Sequence, residues 1–179
     1  SRVMSKVRQF ILPNDLESYQ IVMVSLLNYM GQNYMDNFFK GEEYTEESFH
    51  QDLSRHLKLD TSIGASALNE IYTGGGRVDI LVRGVPLELK VEKAIADTIV
   101  VIDKHKSQAS HYASSQGKQV GFLCILDLTE KKMPIPHPSN DIRVVQVPVH
   151  GYEEDKLLFP SIIIALVIRG NLPPPSGLS

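Results

Sequence analysis

Two runs of alternating residues constrain this chain most: Arg77-Val78-Asp79-Ile80-Leu81-Val82 and Val85-Pro86-Leu87-Glu88-Leu89-Lys90-Val91, separated by Arg83-Gly84. Period-two alternation rich in branched residues is the pattern of a half-buried strand. A short spacer containing glycine joins two such runs as a hairpin. Val78, Ile80 and Val82 share one face of the first run, and Arg77, Asp79 and Leu81 the other. In the second run Val85, Leu87, Leu89 and Val91 share one face, and Glu88 and Lys90 the other. A two-residue loop sets Asp79 opposite Glu88; a four-residue loop through Pro86 sets it opposite Lys90. Both registers leave Asp79, Glu88 and Lys90 on one face, because only a one-residue slip reverses a side chain. Two carboxylates opposed in a sheet repel. That arrangement invites a cation, and hard oxygen ligands favour Mg²⁺ or Mn²⁺.

The rest of the composition sets limits. The chain has 179 residues, 42% hydrophobic and 22% charged, which is enough for one domain with a core. A net charge of −3 gives no global basic footprint, so any nucleic-acid contact must be local. Cys124 is the single cysteine and lies in the apolar run Gly121 to Leu126, so it reads as a buried small hydrophobe. One cysteine excludes an internal disulfide framework and fits a reducing, cytoplasmic setting. No apolar run is long enough to span a bilayer, so no membrane partner is expected. A chain beginning at Ser1 reads as a trimmed domain of something larger.

Helical spacing of Tyr19, Val22, Met23, Leu26, Leu27 and Met30 predicts one or two helices over Asp15 to Phe39, interrupted at Gly31. Residues 1–41 then form a helical segment, either accessory to the core or the end of a preceding domain. Thr45 is a candidate N-cap for a helix with Phe49, Leu53 and Leu57 on one face. A strand is expected near Leu68 to Tyr72, and Gly74-Gly75-Gly76 turns the chain into the hairpin. Asp97 to Ser115 reads as helical in its C-terminal half and ends at Gly117. Val120 to Leu128 and Ile142 to Val149 read as strands. Phe159 to Ile168 is apolar but of undecided type. Residues 42–170 are expected to form the main domain, and 171–179 a proline-rich tail. The order helix, β-meander, helix, strand, strand predicts an α/β fold with a mixed sheet flanked by helices. Glu92 and Lys93 read as solvated.

Asp79 followed by Glu88-x-Lys90 across a hairpin resembles the PD-(D/E)xK nuclease superfamily, over roughly Thr45 to Leu128. Val78 stands where that family usually has proline. The Glu-x-Lys element alone is common on solvated strands; the spacing across two hairpin faces is what makes the resemblance specific. It implies a restriction-endonuclease-like mixed-sheet core and a glutamate at the start of the preceding helix. Glu46 fits that place, with Phe49 and Leu53 three and seven positions on, and Glu47 competes with it. First-turn carboxylates also stabilise a helix dipole without any chemistry. Gln108-Ala-Ser-His-Tyr112 is similar to the QxxxY motif of the branch that includes RecB-type exonucleases. Gln108 and Tyr112 share a helical face, and Lys104 extends that stripe by a turn. The plain alternative is a polar outer face. Ala109 and Ala113 beside the pair would let the helix approach the sheet closely.

The resemblance implies Mg²⁺- or Mn²⁺-dependent phosphodiester hydrolysis. Asp79, Glu88 and the Leu89 carbonyl would hold the ion, with Glu46 completing the shell or holding a second ion. Lys90 would orient or deprotonate the attacking water and stabilise charge. Gln108 would position Lys90 or the substrate, and Arg77, Lys104 and Tyr112 would contact nucleic acid. DNA is the expected substrate, with RNA open. A homodimer, or a fused or associated sensor domain as in defence or DNA-processing systems, would supply affinity. Two other readings compete: a nuclease-fold module that binds nucleic acid or protein without cutting, and a regulatory or assembly domain. No Walker sequence follows the glycines, and no metalloprotease or nucleophile-elbow spacing exists.

Overall fold

Arg83 and Gly84 both adopt positive φ, 51° and 75°, the signature of a two-residue type I′ turn whose twist matches that of the strands it joins. In the computed structural model that turn closes β2 (Arg77–Val82) onto β3 (Val85–Glu92), with Ile80 opposite Leu87 and Val82 opposite Val85. The structure describes residues 2–41, 43–64, 68–73, 77–131, 138–148 and 161–173, with the side chains of 68–73 and 77–79 outside that description. Of the two registers open to the hairpin, this is the one in which the next step outward from Ile80 and Leu87 is Asp79 and Glu88.

The remaining elements are α1 (Arg2–Val7), α2 (Leu16–Asp36), α3 (Glu46–Leu59), β1 (Leu68–Thr73), α4 (Thr98–Ser115), β4 (Val120–Asp127), β5 (Ile142–Val147) and β6 (Ser161–Arg169). They form a mixed α/β architecture around one six-stranded sheet, ordered β1-β2-β3-β4-β6-β5. The meander β1-β2-β3 is antiparallel, β3, β4 and β6 are mutually parallel, and β5 returns antiparallel to β6. Helices α2 and α3 cover one face. Tyr19, Val22, Met23, Leu26, Phe49, Leu53 and Leu57 pack there against Ile80, Leu87, Leu89, Phe122, Cys124, Ile164 and Leu166. Helix α4 covers the other face, with Val101, Ile102 and Ala109 against Leu123, Ile125, Ile163, Ala165 and Val167.

Several helix limits follow from local chemistry. Thr45 caps α3 through a reciprocal pair with Ser48: Ser48 N–H donates to Thr45 Oγ1 at 3.2 Å, and Thr45 N–H to Ser48 Oγ at 2.8 Å. Such a box satisfies two orphan donors of the first turn. Asp97 caps α4, accepting from the Ile99 and Val100 amides at 2.8 and 3.1 Å. The cap explains why α4 runs its full length from Thr98, not only in its C-terminal half. It ends as Gly117 turns to φ +67° and Lys118 N–H returns to the Ala113 carbonyl at 2.9 Å, a Schellman closure.

One other sequence expectation is corrected, and one segment of undecided type is assigned. Gly31 does not interrupt α2, which continues to Asp36; tertiary packing of Tyr29, Met30 and Asn33 outweighs the roughly 1 kcal/mol propensity cost of one glycine. Phe159 to Ile168 had no readable period because β6, which begins at Ser161, is buried on both faces. Central parallel strands read as continuous apolar runs for that reason.

Helix α4 meets the sheet at Gly121. A Cβ there would lie 2.9 Å from Ala113 Cβ and 3.4 Å from Ile163 Cδ1. The small residues of α4 and β4 therefore set the spacing between helix and sheet. Gly121→Val is expected to destabilise the protein by about 1–3 kcal/mol through overpacking, read as a lower urea midpoint at unchanged slope.

Candidate active site on the third strand

The parallel strands align three rows of side chains beneath α4. Glu88 stands beside Leu123 and Ala165, Lys90 beside Ile125 and Val167, and Glu92 beside Asp127 and Arg169. The first two rows are apolar except on β3. Glu88 and Lys90 are nonetheless 1% and 6% exposed, so two ionisable groups are enclosed where β4 and β6 carry hydrocarbon. Lys90 Nζ lies 2.9 Å from Glu88 Oε1 and 3.7 Å from Glu46 Oε2. The shorter contact is an ion pair without hydrogen-bond alignment, since Glu88 Oε1 has no hydrogen-bond partner among the described residues.

Glu46 arrives from the first turn of α3, where the Thr45–Ser48 box fixes the helix start. It is this carboxylate that reaches Lys90; Glu47 points along its own helix and accepts a long 3.5 Å contact from Gln51. Leu89 turns its side chain into the α2–α3 side of the core, in register with Cys124. The strand position of residue 79 precedes Ile80 on β2; the side chains of Arg77 and Asp79 lie outside the described residues.

Helix α4 supplies the roof. Lys104 Nζ donates to Glu92 Oε2 at 3.0 Å, and His105 Nε2 stands 3.9 Å from the same oxygen. Gln108 is half-buried and Tyr112 buried, one turn apart on that helix. The Lys104 ammonium, expected on a nucleic-acid-facing stripe, is thus engaged by Glu92.

Glu92 corrects the expectation of a solvated residue: it is 4% exposed. Its Oε1 accepts from the Lys93, Ala94 and Ile95 amides at 3.1, 2.9 and 3.1 Å. Burial alone would raise its pKa, but the Ala94 amide, Lys104 and the Ile95 amide outweigh it and hold the carboxyl at about 2. His105 lies below the ordinary histidine value. Burial comes first, then the Lys104 and Lys90 ammoniums, opposed by Glu92 and Glu88. Cys124 is fully buried, which pushes its thiol up to about 12 and makes it a small hydrophobe.

Beside Glu92 lies a second charged group that the sequence did not signal. Arg169 grips Asp141 in a two-bonded fork at 2.9 and 2.7 Å, and lies 3.6 Å from Asp127. Asp127 also accepts from the Thr129 amide and hydroxyl and pairs with Lys131 at 2.9 Å. Each charge there has its opposite, so this knot ties the strand ends together. Its only sequence trace is that an apolar strand ends on each of Asp127 and Arg169.

Among the described residues, no group of three or more His, Cys, Asp or Glu side chains converges as a metal site. Two carboxylates, Glu88 and Glu46, do converge on Lys90. Their oxygens suit a hard divalent cation, and Glu88 Oε1 is buried with no hydrogen-bond partner among the described residues. Comparison with protein-family models, with curated proteins and with solved structures finds no match.

The Glu92 carboxylate should be legible in the acid limb of stability. Its folded pKa of about 2 lies below the ordinary 4.5, so its stabilisation is complete above the ordinary value and is lost as pH falls towards 2. Glu92→Gln is expected to cost roughly 1–3 kcal/mol at neutral pH. In denaturation at stepped pH, its deficit relative to wild type should close on the acid side; a constant deficit would contradict the assignment.

Proposed function

We propose that this chain is a divalent-metal-dependent phosphodiesterase acting on DNA, with a restriction-endonuclease-like core. The observation that carries the reading is the buried Glu88–Lys90 pair, with Glu46 brought to the same ammonium. Enclosing an ion pair costs several kcal/mol per ion in desolvation, and well-packed hydrophobes in its place are often equally or more stable. Stability therefore gives weak grounds for keeping Glu88 and Lys90 among Leu123, Ile125 and Val167, whereas chemistry gives strong ones. The mixed sheet flanked by helices, with α3, the meander β1-β2-β3, α4 and β4 in that order, also supports the reading, since the nuclease resemblance implies a mixed-sheet core.

In this reading Glu88 and Asp79 would hold Mg²⁺ or Mn²⁺, with the Leu89 carbonyl and Glu46 completing the shell. Held there, such an ion would supply Lewis acidity, lowering the pKa of a water and polarising the phosphoryl oxygen. Lys90, seated between two carboxylates, offers an ammonium to charge developing on phosphate. Gln108 and Tyr112 set the α4 side of the cleft, and Arg77 and Lys104 are the cations proposed to contact the strand. Lys104 would have to share itself between Glu92 and a phosphate. With net charge −3, a second copy or an associated domain is the proposed source of further affinity. No described helix is long and apolar enough to cross a membrane, and the lone buried thiol fits a cytoplasmic setting.

The test is cleavage of supercoiled, linear and single-stranded DNA, with RNA beside them, in Mg²⁺ or Mn²⁺. Metal-dependent cleavage of DNA is expected. Lys90→Ala alone would strand a buried carboxylate and cost about 3–5 kcal/mol, which confuses unfolding with lost chemistry. The paired change Glu88→Gln with Lys90→Met removes both charges, and should stay folded while losing at least roughly 10²-fold in rate. A folded pair variant that cuts as fast as wild type would sink the proposal.

A further inference from the structure

His105 is the one ionisable group on the β3-facing side of α4 to which the chemistry above gives no task. Its Nε2 is buried and has no hydrogen-bond partner among the described residues. Glu92 Oε2 is 3.9 Å away, beyond hydrogen-bond reach. The charge of Lys104 on its own helix, and those of Lys90, Glu92 and Glu88 on β3, act on the ring. Burying a polar nitrogen without a partner is costly, and in native proteins such an atom asks for a functional account. The neighbouring carboxylate oxygen is already engaged by Lys104 at 3.0 Å, so the imidazole tip is left for something that arrives with substrate.

We propose that His105 is the general base of the hydrolysis inferred above; the assignment rests on that reading. Lys90 is a poor base as it stands, because an ammonium held by Glu88 and Glu46 has donors only and no lone pair. A neutral imidazole with its proton on Nδ1 presents a lone pair at Nε2. In the step, one proton of the attacking water passes to His105 Nε2 as the water oxygen bonds to phosphorus. The phosphorus–oxygen ester bond breaks, and the leaving alkoxide takes a proton from the Lys90 ammonium. Exchange with solvent then returns a proton to Lys90 and removes one from His105. Glu92, whose Oε2 lies 3.9 Å from that same Nε2, would stabilise the imidazolium as it forms, and its own engagement by three amides and Lys104 keeps it anionic.

The experiment measures the rate of DNA cleavage with Mn²⁺ by wild type, His105→Gln and His105→Asn across about pH 5.5–8.5, with thermal melts beside each. Wild type is expected to lose rate as pH falls through the range in which imidazole protonates. His105→Gln and His105→Asn should melt as wild type does, lose roughly 10²-fold or more in kcat with little change in KM, and lose that acid limb. Variants that match wild type in rate, or that are slower with the acid limb intact, overturn the assignment and leave the phosphodiesterase reading standing. A wild type that cuts no nucleic acid overturns that reading, and this assignment with it.

Discussion

The structure turns on one costly arrangement: an ion pair enclosed in the face of a parallel sheet. At β3 the rows under α4 change from hydrocarbon to charge, with Glu88 and Lys90 beside Leu123 and Ile125. Charges in such a place must be surrounded by compensation, and the neighbouring elements supply it. Glu46 comes from the capped start of α3 to the Lys90 ammonium. Lys104 comes from α4 to Glu92, which also gathers the amides of the turn that leads into that helix. The approach of α4 depends in turn on the small residues Ala109, Ala113 and Gly121, since a Cβ at Gly121 would lie 2.9 Å from Ala113 Cβ. Thus the small residues of the helix–sheet contact and the charges of β3 are parts of one construction.

What the sequence made legible was what has a short period or a local cause. The hairpin could be read because alternation is local and because its face assignment survives either register; the I′ turn at Arg83-Gly84 then selects one. Thr45 could be read as a cap, and Phe49, Leu53 and Leu57 as a buried stripe, because both are settled within a few residues. The type of β6 could not, because a strand buried on both faces has no period to show. Gly31 was misread because propensity is a small term beside the packing of α2.

The site was legible in part for the same reason. Glu88 and Lys90 announce themselves as neighbours on one strand face. Choosing Glu46 over Glu47 needs the approach of α3 to β3, which no local pattern carries. Glu92 looked solvated because its partners come from a following turn and from a helix twelve residues on. His105 falls between Gln108 and Lys104 in the sequence, and only the packing of α4 on β3 brings it to the charged face. The Arg169–Asp141–Asp127 knot joins residues from three separate strand ends, and nothing short of the fold assembles it.

A static charge pattern admits two interpretations, a structural ion pair and a seat for a cation, and they differ in what Glu88 does when a metal is offered. Anomalous diffraction from crystals soaked in Mn²⁺ separates them most directly. The account predicts a single strong peak within about 2 Å of a Glu88 carboxylate oxygen, with Lys90 still beside it. Crystals that bind Mn²⁺ nowhere near Glu88, while the Glu88–Lys90 contact stays closed, would contradict it.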